Sequence, residues 1–555
     1  MTTSPTARPL ESPEGETTID PDELRAYVAP MARAIFAHAI ALGVAADLLL
    51  REGLTGLGYP AWLMLVALSL LSLVWRDGRR LPRESGAWLV TAVLFAIGMA
   101  WRDAGSLQAF DFLATLFALG MAAIALGDPR SALLAARLRD TVWAGMAEMR
   151  SIAAGILPLA WREMGLPAAR QQLHGRYRPV LRASLIALPL LFVFGSLLVD
   201  ADPVFASIVA LPELDIETIV SHVMVAVFFA WIVAGWARGA LIANLSRSRP
   251  PEQLPFALGM LDVTTALGTL NALFGLYVLT QLGWFFGGER FLQARTGLTA
   301  AEYARQGFFQ MVWVVVLVVP VLVGTRAALQ PGRALERRHS ALALPLIALL
   351  GVMILSAMLR MRLYVHYFGL TTDRLYPLVF MAWLTVVLGW LALTVLRGAG
   401  RAFVAGAVVT GLATLAALNV VVPDVVVARV NIARAQRATG DGKAVLDLAH
   451  LANLSGEAVP LAVGAVLAPP MGASGSAERV ESDRARCAAS RELLRRWRAS
   501  PEAAGRREDD GAAWRSWNRG ETEARRVVHA NARALLAVRD ACPRPIGTAT
   551  APAGT

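Results

Sequence analysis

Lysine is almost absent from this chain: Lys443 is the only one, and every other basic residue is arginine. Charge is scarce in general, at 17% of 555 residues, where a soluble globular chain carries roughly a quarter. Length alone suggests three or four soluble domains, but that shortage of charge argues against them. The net charge of +11 is weak support for a nucleic-acid partner, and none is expected. Seven scattered histidines show no spacing suited to zinc, and no Gly-x-Ser-x-Gly elbow occurs. Gly440-Asp441-Gly442-Lys443 lacks the earlier glycine and the following Ser or Thr of a phosphate-binding loop, because Arg437 and Ala444 stand there. No metal, cofactor or catalytic set is therefore expected. The N-terminus lacks the positive start of a signal peptide; it carries Glu11, Glu14, Glu16, Asp20, Asp22 and Glu23 instead. Residues 1–30 read as a disordered cytoplasmic tail.

What the chain has in abundance is apolar sequence, 56% of residues with a mean hydropathy of +0.51. A helix needs about 20 apolar residues to cross the hydrocarbon core, and only helices or closed barrels satisfy their backbone there. Runs of that kind lie near 31–50, 59–75, 84–101, 106–127, 183–199, 218–237, 258–283, 308–325, 341–358, 375–396 and 401–421. The expected fold is all-α, a polytopic transmembrane bundle of about eleven spans. Spans 1–4 occupy 31–127 and spans 5–11 occupy 183–421. Between them, 128–182 reads as a cytoplasmic loop, and 422–555 as a helical extramembrane tail with a flexible end.

Arginine in the loops sets the orientation, since cytoplasmic loops carry the excess of positive charge. Arg76 to Arg83, Arg130 to Arg182, Arg238 to Arg249, Arg326 to Arg338, and Arg397 with Arg401 total 22 on one side, against eight on the other. The N-terminus is then cytoplasmic and the tail extracytoplasmic. In an oxidising compartment Cys487 and Cys542, both in the tail, are candidates for a disulfide; two unrelated buried thiols are the alternative.

The 128–182 loop contains Ile152–Trp161, too short to cross comfortably. Trp143, Met146, Met149 and Ile152 recur near helical spacing, with Arg137, Arg139 and Arg150 between. Two readings stand: amphipathic helices on the inner membrane face, or helices packed under the bundle. In the tail, Val425–Arg437, Ala444–Leu454 and Glu457–Leu467 read as short helices, with Ser455 as an N-cap. A flexible Pro-, Gly- and Ser-rich linker at Pro469–Ser476 follows them, and two longer helices are expected after it, near 477–499 and 511–540. Gly235-x-x-x-Gly239 and Gly283-x-x-x-Gly287 lie at span ends and read as packing or turn glycines.

The proposed topology gathers polar residues near the outer face: Asp47, Asp202, Glu302, Tyr303, Arg305, Arg360, Arg362, Tyr364, His366, Arg374, Asn431 and Arg434. Charges near a bilayer are costly unless paired or hydrated, so they often mark function. Three functions fit such a cluster: a binding, sensing or scaffolding protein, a transporter of a small solute, or a membrane enzyme acting on a lipid-linked substrate. Transport requires charges at depth, where Asp111 and Asp262 are the best candidates. The alternative is structural, with arginine and tyrosine snorkelling or pairing at helix ends. The bilayer is the one partner implied throughout; an envelope protein or a lipid headgroup is the partner a binding role implies.

Several stretches together carry a family resemblance. They are Gln281-Leu282-Gly283-Trp284-Phe285-Phe286-Gly287-Gly288, Thr299-Ala300-Ala301-Glu302-Tyr303-Ala304-Arg305-Gln306-Gly307-Phe308-Phe309, and Ser356-Ala357-Met358-Leu359-Arg360-Met361-Arg362-Leu363-Tyr364. Tyr367-Phe368-Gly369-Leu370-Thr371, Ala201-Asp202-Pro203-Val204-Phe205 and Asn431-Ile432-Ala433-Arg434 add to them. Over roughly 180–460 the chain resembles the bacterial multipass membrane proteins grouped as domain of unknown function 4173. The resemblance implies a bacterial inner-membrane protein and no particular activity, substrate or cofactor.

Overall fold

A computed structural model describes residues 21–51, 53–127, 138–164, 216–243, 257–296, 308–397, 400–437, 446–469, 476–497 and 514–542, with Ala183, Ala187 and Phe194 besides. The expectations for 1–20, for the span at 183–199, for 297–307 and for 543–555 lie outside the described residues. The described chain is helical, and ten of its helices are long and apolar enough to cross a membrane. They correspond to the other ten runs picked out by hydropathy.

Two compact units make up the fold, the first being residues 1–54, 58–93 and 116–248. It contains α1 (Pro21–Leu50), α2 (Gly58–Arg76), the start of α3 (Arg83–Trp101), the end of α4 (Gly105–Gly127), α5 (Leu138–Ala154) and α6 (Ile216–Leu241). Residues 21–30, assigned above to the disordered tail, are helical and continuous with the first span. Helix α1 packs against α2 and α6, with Trp62 Nε1 donating to Leu42 O at 2.9 Å and its ring 5.2 Å from that of Phe229.

The second unit comprises 55–57, 94–115 and 249–555. Its spans are α7 (Met260–Thr296), α8 (Phe308–Ala327), α9 (Arg333–Phe368), α10 (Thr372–Arg397) and α11 (Gly400–Val421), together with the facing ends of α3 and α4. Leu267, Val315, Leu322, Leu346, Leu350 and Leu388 are among the residues buried where α7–α10 meet. Outward faces stay apolar, as at Leu261, Leu317 and Val420. Soluble proteins rarely expose contiguous apolar surface of this kind. The segment Leu359–Tyr376, which the apolar runs 341–358 and 375–396 leave between spans, is helix at both ends. Helix α9 continues to Phe368, α10 begins at Thr372, and only three residues turn between them. Hydropathy registers the apolar part of a helix, whereas the backbone bonds carry on beyond it.

The tail folds as α12 (Pro423–Arg437), α13 (Leu448–Asn453), a 3-10 turn Gly456–Ala458, α14 (Val459–Leu467), α15 (Ser476–Arg496), α16 (Arg519–Ala530) and α17 (Ala532–Asp540). The last helix pair starts at Arg519 rather than near 511. Asn518 is the reason: its side chain accepts from Glu521 N and caps α16. Ser455 makes no cap with its hydroxyl. The tail has its own core, in which Leu451, Val459, Leu493, Ala524 and Leu535 pack with Val427 of α12 and Leu370 of the α9–α10 turn. Cys487 on α15 is bonded to Cys542 beyond α17, with Cα atoms 5.9 Å apart.

Candidate functional site

The residues expected at the outer face separate into groups. Asp202, Glu302, Tyr303 and Arg305 lie outside the described residues. Asp47 belongs to the first unit, where Arg51 Nη1 reaches its Oδ1 at 3.0 Å and His222 Nδ1 donates to its Oδ2. Arg360 is buried on α9, and Arg362 is exposed. Tyr364, His366, Arg374, Asn431 and Arg434 do come together, around the backbone of the α9–α10 turn. Leu370 N donates to Asn431 Oδ1 at 2.8 Å, and Asn431 Nδ2 donates back to Leu370 O at 2.7 Å. Arg434 Nη1 donates to His366 O at 3.3 Å, and Arg374 Nη1 to the carbonyls of Phe368 and Gly369. The Arg374 guanidinium also lies 4.3 Å over the Tyr364 ring, a cation–π contact. Gly369 has φ +80°, and a Cβ there would fall 2.8 Å from Asn431 Oδ1. Asn431, Arg434 and Arg374 thus clasp a turn, with their side chains bonded to backbone.

A second set in the same unit ties the tail to the Arg102–Ala104 turn between α3 and α4. Asp103 Oδ2 accepts from Gly456 N at 2.7 Å, and Asp103 N donates to Glu457 Oε1 at 2.8 Å. Asp424 Oδ2 accepts from Ser455 N at 2.8 Å. Asn518 Nδ2 donates to Met99 O at 3.1 Å and Arg102 O at 2.8 Å, which Gln108 Nε2 also reaches at 3.2 and 2.6 Å. The end of α3, whose last carbonyls lack intrahelical partners, is thus closed by side chains. Arg519 lies 4.5 Å over the Trp101 ring, and Arg496 Nη1 donates to Asn453 O and Leu454 O at 2.8 Å.

Next to this junction is a buried polar group. Asn419 of α11 donates to Asp111 Oδ1 of α4 at 2.7 Å. Asp111 Oδ2, Asn419 Oδ1, Tyr376 OH and Glu457 Oε2 are buried and have no hydrogen-bond partner among the described residues. Asp111 is fully buried, and its Oδ2 packs against Gly98, where a Cβ would fall 2.7 Å away. Outside the spans, burial pushes the Asp103 carboxyl up to about 6. The Gly456 N–H opposes that shift, Glu521 and Glu457 reinforce it, and Arg496 opposes it. Among the described residues no group of three or more His, Cys, Asp or Glu is arranged to hold a metal.

Asp111 was visible in the sequence as a charge within a span, whereas Asp103, Asp424, Glu457 and Asn518 were not singled out. Each is an ordinary polar residue in a short turn or at a helix end, and each gains its role from a partner distant along the chain.

The chain belongs to a family of unknown function: the family described as Domain of unknown function (DUF4153) matches residues 89–464. This corrects the family number 4173 expected from the motifs and extends the matched region upstream to α3. Asp103, Asp111, Tyr376, Asp424 and Glu457 fall inside it, whereas Asn518 and the Cys487–Cys542 pair fall beyond it. Neither the curated proteins nor the solved structures yield a match to this chain.

Proposed function

We propose that this integral membrane protein is a binding or scaffolding protein of the bacterial cytoplasmic membrane, which holds its C-terminal helices outside the cell interior as a fixed platform. The observation that carries this reading is the mode of attachment. The tail core takes in Leu370 of the α9–α10 turn, and Asp103 and Asn518 bond it to the α3–α4 turn. A tail fastened at two turns presents one surface in one orientation, which suits docking of an envelope protein or a lipid headgroup. The topology rests on the 22-to-8 arginine bias. It is supported by the α3–α4 and α9–α10 turns, which both meet the tail and both belong to the arginine-poor set.

Photo-crosslinking from exposed tail positions tests the reading. A photoreactive residue replacing Val480 or Trp514, both exposed, is expected to give a discrete adduct in intact cells. Adducts at neither position would count against it. A second reading, transport of a small solute, draws on Asp111, a fully buried carboxyl within a span with one oxygen unpartnered. Proton uptake into vesicles that is lost in Asp111→Asn would favour it; equal uptake in both would remove it.

A further inference from the structure

Helix α5 and the turn after it lie against span α6 in a way that a surface loop does not require. Successive contacts run antiparallel: Glu148 packs on Gly239, Ser151 and Ile152 on Gly235, and Ile152 and Ala153 on Trp231. A Cβ at Gly235 would lie 2.6 Å from Ile152 Cα, so the two glycines, one turn apart, let the backbones touch. Trp231 precedes the end of the span at Leu241 by ten residues. At 1.5 Å per residue that is about 15 Å, half of a hydrocarbon core roughly 30 Å thick.

Polarity on α5 is inside out. The face toward the protein carries Ala144, Glu148 and Ser151, of which Glu148 is 2% and Ser151 4% exposed. Val142, Trp143, Met146 and Met149 point away, with Met146 at 53% and Met149 at 72% exposure. A helix facing water shows the reverse order. The end of α5 is closed without water as well. Trp231 Nε1 donates to Ile152 O and Ala153 O, both at 3.1 Å. These carbonyls belong to the last turn of α5, which has no intrahelical donors of its own, and bare carbonyls are not tolerated at depth in lipid.

The chain then continues through Gly155, Pro158 and a π-turn, Leu159–Glu163, with helical dihedrals at each junction. Glu163 Oε2 accepts from Arg238 Nε at 2.9 Å, and Arg238 Nη1 reaches Ser151 Oγ at 3.4 Å. Ser151 and Glu163, which a straight helix would separate by about 18 Å, both reach Arg238, so the chain bends after α5.

We propose that residues 138–157 form a helical segment inserted in the bilayer, entering beside the end of α6 and running along it to near mid-depth at Trp231, with its outward face against lipid acyl chains. This replaces both readings of the 128–182 loop for these residues. It is independent of the proposed scaffolding role.

Nitroxide labels test it on the full chain in vesicles of phosphatidylethanolamine and phosphatidylglycerol, with the Cys487–Cys542 bond left intact. Met146→Cys, Met149→Cys, Ala153→Cys and Leu157→Cys each place a label on an exposed position. Relaxation by oxygen is expected to exceed that by a water-soluble nickel chelate at all four. The ratio should rise several-fold from 146 to 153 and 157. Nickel dominating at 153 and 157 would mean an aqueous face; exclusion of both reagents would mean a protein cover, such as a second copy. Either result overturns the proposal. Trp231→Phe gives an independent check. In lipid the uncovered carbonyls should lower Tm, whereas at an aqueous surface water replaces the indole and Tm should stay unchanged.

Discussion

Asn431 shows how much one amide can hold. It satisfies both the N–H and the carbonyl of Leu370, whose side chain is part of the tail core. Asn431→Ala strips two buried backbone groups of their partners, at about 1–3 kcal/mol for each group left unsatisfied. A lowered Tm and earlier proteolysis of the tail are expected. Gly369→Ala should act in the same direction, because φ is positive there and the added methyl meets Asn431. Asp103 makes a different prediction. Its carboxyl sits near 6 in the docked state against an ordinary 3.8, so the docked tail binds that proton more tightly than a detached one. The contribution is complete below about pH 4 and disappears as pH rises through about 6. Thermal unfolding of the wild type should therefore lose stability across that interval relative to Asp103→Asn, which keeps an acceptor for Gly456 N but cannot ionise. Parallel profiles would refute the assignment.

Among elements, the tail helices are the part whose stability is most readily dissected. Leu493 and Leu535 are fully buried between α15 and α17, and Leu535→Ala should cost about 2–5 kcal/mol, seen as release of α16 and α17 to protease. The disulfide spans 55 residues. Replacing both cysteines with serine is expected to remove about 4 kcal/mol in the chain-entropy account, measurable as a drop in Tm of the full chain. Long apolar runs announced the spans because each needs nothing but its own composition to be recognised. The helix ends were not announced. Arg360, Arg362 and His366 continue α9 beyond its apolar part, and the three-residue turn at Gly369 is marked only by the glycine.

Over the whole molecule, fold class and family type were legible, and the candidate site was legible only in part. Asn431, Arg434, Arg374 and Tyr364 were picked out as polar residues near one face and do meet, yet the first three bond to backbone groups and Tyr364 lies under Arg374. The junction itself joins Asp103 to Gly456 and Asn518 to Met99, pairs separated by hundreds of residues. No local pattern records such pairings. The expected topology has a direct check: after reduction by an impermeant phosphine, Cys487 and Cys542 should take up an impermeant maleimide in intact cells. Labelling only after permeabilisation would reverse the orientation and place the platform in the cytoplasm.

Asn518 also sets an order of events during synthesis. The carbonyls of Met99 and Arg102 emerge more than 400 residues ahead of the amide that meets them. Until the ribosome reaches the final helices, Gln108 is the one other side chain among the described residues that covers them. Assembly is thus fastened from its last-made segment back to one of its first, so a nascent chain stalled before residue 518 should leave the rim of the third span open to water and to quality-control proteases.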